Sequence, residues 1–360
     1  MSIHVVLAGG GSAGHVEPMM NTADALRRLD PEVGISALGT SEGLESRLVP
    51  LRGYDLVIVP KVPLPRRPTL DLLRVPGRLR TAVRTARQHL DDVDASVVVG
   101  FGGYVSVPAY LAAKRRGTPI VVHEANARAG IANRLGARWA VVVAAAVDGA
   151  IAGAKVIGIP LRRDIATLDR AASRTAARES FGLTDGPVLL VTGGSQGARR
   201  INTAVVDAAP ALAAAGVQVL HITGPKQADD VRAALGDPPA THHVVGYVDG
   251  MASAYAAADL VLCRSGAMTC AELAAVGLPA VFVPLPIGNG EQALNAGPLV
   301  EAGAALQVED ASLDAAYLTR TVLPLVTDGP GLDRMSSALR GLGRADADTD
   351  LAELVLGAAR

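Results

Sequence analysis

One five-residue pattern occurs twice in the same setting. Gly10-Gly11-Ser12-Ala13-Gly14 follows the apolar run IHVVLA, and Gly193-Gly194-Ser195-Gln196-Gly197 follows VLLVT 183 residues later. A glycine-rich turn between a short β-branched run and a helical stretch is the corner at which a βαβ unit holds a phosphate: missing side chains let backbone approach the anion, and the helix start offers free N–H groups. A copy of that corner half a chain away predicts two such units.

The flanking sequence agrees. IHVVLA, VGISALG, DLVIVP, ASVVVG and TPIVVHE alternate with helical-period stretches at 17–29, 41–52, 106–116 and 127–137; a second series runs through PVLLVTGG, VQVLHITG, HHVVGYV, DLVLCRSG and PAVFVPL. Such alternation predicts an α/β protein with mostly parallel sheets and ligands at the carboxyl ends of the strands. We expect two Rossmann-like domains, 1–157 and 165–336, joined by a linker at 158–164 and followed by a segment 337–360, with a ligand in a cleft between facing strand ends.

Composition narrows the function. With 360 residues there is chain for about two domains. Apolar residues at 49% exclude a disordered chain, and a net charge of −1 with only 3% aromatics argues against nucleic acid. Cys263 and Cys270 form neither a disulfide framework nor a zinc pattern, so a reducing cytosolic setting is expected. MSIHVVLAGGG lacks the basic start and long apolar core of a secretory signal. The uncharged stretches 95–113 and 273–290 carry Gly100, Gly102, Gly103 and Pro108, and Pro279, Pro284 and Pro286, so neither reads as a membrane span.

The motifs can be weighed singly. Two glycine turns in register favour a diphosphate guest, with Ser12 and Ser195 as added donors. Gly9, Gly11 and Gly14 also fit a dinucleotide fingerprint, but VGISALG ends in Gly39-Thr40-Ser41, without the ribose-binding acid. As a nucleophile elbow, Ser195 with His221, His242 or His243 is disfavoured because a hydrolase needs only one such turn. His15 stands where a helix dipole keeps an imidazole neutral, and serves either as a general base or as turn packing. His123, Glu124 and Asn126 line a cleft or close a turn. Arg264-Ser265-Gly266-Ala267-Met268-Thr269 opens another helix and places Glu272 on its first turn, where it pairs with the dipole or takes ribose hydroxyls. Pro284 to Gln292 offers amides and acids to sugar hydroxyls or to a plain turn. Between 61 and 90, Lys61, Arg66, Arg67, Arg74, Arg78, Arg80, Arg84 and Arg87 interleave with Val62, Leu64, Leu70, Leu72, Leu73, Val75 and Leu79. That stretch suits an anionic membrane surface or a solvated helix.

Together GGGSAGHVEP (9–18), GFGGYVSVPA (100–109), HEANARAGIANR (123–134), GIPLR (158–162), GGSQGARRIN (193–202), the run from Tyr247 to Pro284, and EQALNA (291–296) resemble the MurG family, here of actinobacterial type. These are the UDP-N-acetylglucosamine transferases that make lipid II in bacterial peptidoglycan synthesis. The resemblance spans nearly the whole chain. It implies a GT-B fold with parallel sheets facing a central cleft, the donor held mainly by the second domain and the lipid acceptor by the first. It implies inverting transfer of GlcNAc from UDP-GlcNAc to the C4 hydroxyl of MurNAc in lipid I, with His15 as base and no cofactor or metal. It also implies peripheral attachment to the anionic inner leaflet and contact with cell-wall synthesis and division proteins.

By position, Ser12, Ala13 and Gly14 match the first loop's binding residues, Asn126 a sugar contact, Arg162 a donor contact and Ser195 a phosphate contact. Val248 matches a backbone reader of uracil. Ala267, Met268, Thr269, Cys270, Ala271 and Glu272 match the segment around sugar and diphosphate, with Glu272 on the ribose, and Gln292 and Asn295 match contacts to the GlcNAc hydroxyls. Tyr104, Arg66, Arg67, Arg74 and Arg78 fall to the acceptor and membrane, and the helix near 350–360 is expected to return to the first domain. Ser-Ala-Gly stands where the family commonly has Thr-Gly-Gly, Ala125 where it often has Gln, and Asn289-Gly290-Glu291-Gln292 where it has Asp-x-Gln-Gln. A related transferase with another acceptor, or a nonhydrolysing UDP-GlcNAc epimerase, would use a similar fold.

Overall fold

A computed structural model describes residues 3–62, 75–194, 197–237, 239–286 and 290–360. Its contacts divide the chain into two units, residues 1–162 with 346–360 and residues 163–345. In the first unit the described elements are β1 (His4–Gly9), α1 (Ala13–Leu29), β2 (Gly34–Gly39), α2 (Glu45–Leu51), β3 (Asp55–Ile58), α3 (Val75–Asp92), β4 (Val97–Gly102), α4 (Ser106–Arg116), β5 (Ile120–Glu124), α5 (Ile131–Gly136), β6 (Val142–Ala145) and β7 (Lys155–Val156). The second unit has α6 (Arg163–Ala166), α7 (Arg170–Ser180), β8 (Val188–Thr192), α8 (Arg199–Ala214), β9 (Gln218–Ile222), α9 (Ala228–Leu235), β10 (His242–Val245), α10 (Met251–Ala257), β11 (Leu260–Cys263), α11 (Ala267–Val276), β12 (Ala280–Phe282), α12 (Glu291–Glu301), β13 (Ala305–Gln307), α13 (Ala315–Tyr317), α14 (Leu323–Thr327) and α15 (Gly329–Ala338). Finally α16 (Ala347–Ala358) belongs to the first unit.

The described strands form two sheets, in the orders β3-β2-β1-β4-β5-β6-β7 and β10-β9-β8-β11-β12-β13. Every pairing is parallel, as in Val5 beside Ile35 and Val97, or Leu190 beside Leu220 and Val261. The central strands are buried along their whole length because helices cover both faces, which is why their sequences are continuous apolar runs rather than alternating ones. Val16, Met19, Met20, Ala23 and Leu26 recur at helical spacing on α1 and pack into the first core with Leu351, Ala352 and Val355 of α16. A 2.6 Å ion pair from Arg28 to the buried Asp348 pins the same helix.

Three differences from the sequence expectation stand out. The α1 helix starts at Ala13 rather than 17, because Ser12 has the extended backbone of a helix cap. Strands β6, β7 and β13, of four, two and three residues, were not expected; runs so short carry no periodicity. Residues 158–162 pack with the first unit and 337–345 with the second, so the segment that joins the first unit begins at Asp346, not at 337.

Candidate functional site

In each sheet the strand order reverses between two neighbours, β1 and β4 in one and β8 and β11 in the other. The crevice beyond their carboxyl ends is where open α/β sheets bind ligands. In the first unit the loop after β1 touches the loop after β4: a Cβ on Gly103, whose φ is +82°, would lie 2.5 Å from the carbonyl oxygen of Gly10. His15, in the first turn of α1, is half-buried. Its Nδ1 lies 3.2 Å from the Gly10 carbonyl and 3.3 Å from Ser12 Oγ. A carbonyl only accepts, so Nδ1 carries the proton and Nε2 keeps its lone pair. Burial holds the imidazole below its ordinary pKa against the opposing pull of the Gly10 carbonyl, Glu124 and Glu45. A neutral histidine with a free Nε2 is competent as a base near neutral pH. Glycine at 102 keeps that edge open, since a Cβ there would stand 3.1 Å from Nε2.

Two buried carboxylates frame this corner. Glu45 is wholly buried and accepts hydrogen bonds from the Gly11 and Thr40 amides, each 2.9 Å, and from Thr40 Oγ1 at 2.8 Å. These bonds hold its carboxyl below the usual range against the effect of burial. Glu45 belongs to none of the motifs legible in the sequence; its one signal there is the pair of glycines ahead of it, Gly39 and Gly43, where a Cβ would collide with its side chain. Glu124 closes the turn after β5, accepting from the Asn126 and Gly130 amides and from the Asn126 and Asn133 side chains. Tyr110, fully buried, donates to Asn133 at 2.8 Å. His123 is buried with Nε2 2.8 Å from the Gly158 carbonyl, so it belongs to the frame of the unit.

The second glycine turn is not a geometric copy of the first. Its helix starts at Arg199, beyond the motif, whereas α1 starts inside it at Ala13. Gly197, at φ +71°, is pressed against the Thr223 carbonyl and the Gln227 amide, both held by Asn202. Among the described residues of the two turns, three N–H groups are already taken: Gly11 donates to Glu45, Gly194 to Thr192 Oγ1 and Gly197 to the Gly194 carbonyl. Ser195, proposed for phosphate, lies outside the described residues, as does Asn289.

After β11, Arg264 bonds the Val283 and Pro284 carbonyls and pairs with Asp310, fixing the approach to α11. Ser265 is buried with no hydrogen-bond partner for Oγ, directly before the α11 start. Ala267, Met268, Thr269 and Ala271 are partly accessible along that helix. Cys270 is different: its side chain is in the core and burial pushes its thiol up to about 12, so only its backbone is available. Glu272 lies in the second turn of α11, not the first, which weakens dipole pairing as its explanation. It accepts a bond from Tyr255. Gln292 accepts from the Leu285 amide at 2.9 Å, Asn295 is buried on α12, and Val248 is partly buried beside the core. Arg162 is exposed at the last position of the first unit, and Ser12 and Tyr104 are exposed beside their loops.

Of the basic segment, Arg66, Arg67 and Arg74 lie outside the described residues. Arg78, Arg80, Arg84 and Arg87 are exposed on α3, whose other face buries Ala82, Val83, Ala86 and Leu90. Among the described residues no helix is long and apolar enough to cross a membrane. Nor do three His, Cys, Asp or Glu side chains among them form a metal-binding cluster.

Residues 5–145 match the glycosyltransferase family 28 N-terminal domain, and residues 188–352 the family's C-terminal domain. The chain belongs to glycosyltransferase family 28. Two relatives, from Streptomyces avermitilis (59% identity, 98% of each chain) and Acidothermus cellulolyticus (60%, 99% of this chain and 98% of the relative), are named UDP-N-acetylglucosamine--N-acetylmuramyl-(pentapeptide) pyrophosphoryl-undecaprenol N-acetylglucosamine transferase. The crystal structure of Acinetobacter baumannii MurG matches with a TM-score of 0.80 at 28% identity over 99% of each chain. The resemblance to the MurG family and the GT-B fold expected from it are both borne out. The family 28 C-terminal match ends at 352, inside α16, so it overruns the structural boundary at Asp346.

Proposed function

We propose that this family 28 chain is an inverting N-acetylglucosaminyltransferase that moves GlcNAc from UDP-GlcNAc to the C4 hydroxyl of MurNAc in lipid I, forming lipid II for peptidoglycan. Identity of 59% and 60% over nearly the full length of transferases so named carries the assignment. The site chemistry supports it. His15 Nε2 takes the proton of the acceptor hydroxyl as that oxygen bonds to the anomeric carbon, and the carbon's bond to the diphosphate oxygen breaks with its electron pair leaving on UDP. The α11 helix start and the unpartnered Ser265 hydroxyl offer donors where charge builds on the leaving diphosphate. Glu272 takes the ribose hydroxyls, Gln292 and Asn295 the sugar. Catalysis proceeds without a metal, and the enzyme attaches peripherally to the inner leaflet through its basic segment.

The deciding measurement is UDP release from UDP-GlcNAc with and without a detergent-solubilised lipid I analogue, in the presence and absence of a chelator. Acceptor-dependent release with a disaccharide product, unchanged by the chelator, is expected. Release without acceptor, or a ManNAc-containing product, would overturn the transfer in favour of hydrolysis or epimerisation. A His15→Ala variant that keeps near-full kcat would remove the base assignment alone.

A further inference from the structure

The peptide group joining Gly10 to Gly11 has a charged or titratable partner at each end. Its N–H donates to Glu45 Oε2 at 2.9 Å, and its C=O accepts from His15 Nδ1 at 3.2 Å. We infer that Glu45 is a positioning residue for His15, acting through this one peptide group. The role rests on His15 being the base.

A wholly buried carboxylate is costly unless its lone pairs are met. Glu45 is met by three donors, and no ion pair of the described residues includes it. The backbone makes room for it at three bare positions: Cβ atoms on Gly10, Gly39 and Gly43 would all run into its side chain, at 2.6 Å for Gly10 and 2.5 Å for Gly39. So much accommodation for one anion exceeds what closing a turn requires, since a neutral side chain would close it without the desolvation cost.

The peptide passes the charge on. A carboxylate drawing on the Gly11 N–H polarises the amide and makes the Gly10 oxygen a stronger acceptor, because hydrogen bonds in a chain reinforce one another at low dielectric. The Nδ1–H bond is thereby strengthened, most of all once Nε2 has taken the acceptor's proton and the ring is cationic. The logic is that of the carboxylate in a Ser-His-Asp triad, which holds the ring's tautomer and steadies the imidazolium without taking its proton, here with a peptide interposed. The other groups facing the ring are Ser12 at the cap of its own helix, Asn133 on α5, Gly102 at the end of β4 and Glu124 on β5. Of these only Glu124 is charged, and its direct attraction for the imidazolium exceeds that of Glu45. Glu124 has no bond to the Gly10–Gly11 peptide; its oxygens are taken by Asn126, Gly130 and Asn133.

The test is the pH dependence of kcat and kcat/KM for Glu45→Gln, with Thr40→Val as comparator, since the latter removes one bond to the same carboxylate but leaves its charge and its Gly11 bond. Without the charge the imidazolium is less stable, so the acidic limb should move to lower pH, with kcat down about tenfold and donor KM little changed. Thr40→Val should lower Tm without moving the limb. A limb that stays in place in Glu45→Gln, with only Tm reduced, would overturn the relay while leaving His15 as base; near-full activity in His15→Ala would overturn the base itself. Should Glu45→Gln not fold, Glu45→Asp withdraws the carboxylate from Gly11 while keeping its charge. NMR titration of the His15 ring must then show a lowered pKa against wild type, and an unchanged one rejects the proposal.

Discussion

The phenol of Tyr255 donates a 2.6 Å hydrogen bond to Oε2 of Glu272. Tyr255 is buried on α10, and burial together with the neighbouring carboxylate pushes its phenol well above its ordinary pKa, so it stays a donor throughout the working range. The bond fixes one oxygen of Glu272 and aims the carboxylate for the ribose role proposed above. A hydrogen bond to a charged group contributes about 1.5–3 kcal/mol. Tyr255→Phe should therefore raise the KM for UDP-GlcNAc by about tenfold or more with kcat little changed, and narrow the preference for UDP over 2′-deoxy-UDP as inhibitor. Inhibition ratios equal to wild type would show that Tyr255 supports only the core.

The buried pair His221 and His242 makes the stability of the second unit sensitive to pH. Their rings meet at 3.2 Å, His221 Nε2 lies 3.1 Å from Asn202 Oδ1, and His242 Nδ1 is buried without a partner. Burial, then each one's histidine neighbour, lowers His221 to about 3 and His242 to about 4. Folded values lie below the unfolded value of about 6.5, so the unfolded chain binds more protons between them. Stability is then full above about 6.5 and lost as pH falls towards 4 and 3. Peptide-resolved hydrogen exchange should show residues 217–245 opening as pH drops from 7 to 4.5, and less so in His242→Gln. Equal loss of protection in the variant would dismiss the pair as the cause.

Gly100 has no room for a methyl group. A Cβ there would overlap the Tyr110 phenol, which holds Asn133 and through it Glu124. Gly100→Ala is expected to cost about 1–3 kcal/mol by overpacking and to lower kcat as the turn around Asn126 shifts. Gly357→Ala in α16, where nothing lies nearby, should instead gain up to about 1 kcal/mol. Thermal melts of the two settle the contrast; similar Tm values would contradict it.

The exposed arginines of α3 give the membrane proposal a handle. Sedimentation with vesicles containing anionic lipid should fall as salt rises, and reversing Arg78, Arg80 and Arg84 to Glu should weaken it by about 1 kcal/mol or more per residue. Equal binding to neutral vesicles would reject the basic dock.

The sequence makes the sheets legible because strands buried on both faces must be apolar along their length, and each β-branched run stands out between Gly and Pro. His15 was legible for a related reason, since its place after a glycine turn follows from the chain alone. Glu45 and Tyr255 were not, because each acts on a residue far along the chain: Glu45 reaches Gly11, 34 positions away, and Tyr255 reaches Glu272, 17 away. Glu272 itself was displaced by one turn because Ala267, not a polar cap, opens α11. The equivalence of the two glycine turns failed for a subtler cause. The same G-G-S-x-G pattern starts its helices at different offsets, and different partners take its backbone: the carboxylate of Glu45 takes the Gly11 amide in one, and Thr192 Oγ1 the Gly194 amide in the other.

The placement of α16 makes the second unit an insertion in the first. Residues 163–345 interrupt a core that is completed only by Leu351, Ala352 and Val355. During synthesis the usual order, amino-terminal domain first, is therefore reversed: the interrupting unit has all its residues before its host does. A nonsense codon after residue 345 would spare the inserted unit and leave the α1 face of the host without its cover, so late truncations of this chain strike the half that is begun first and finished last.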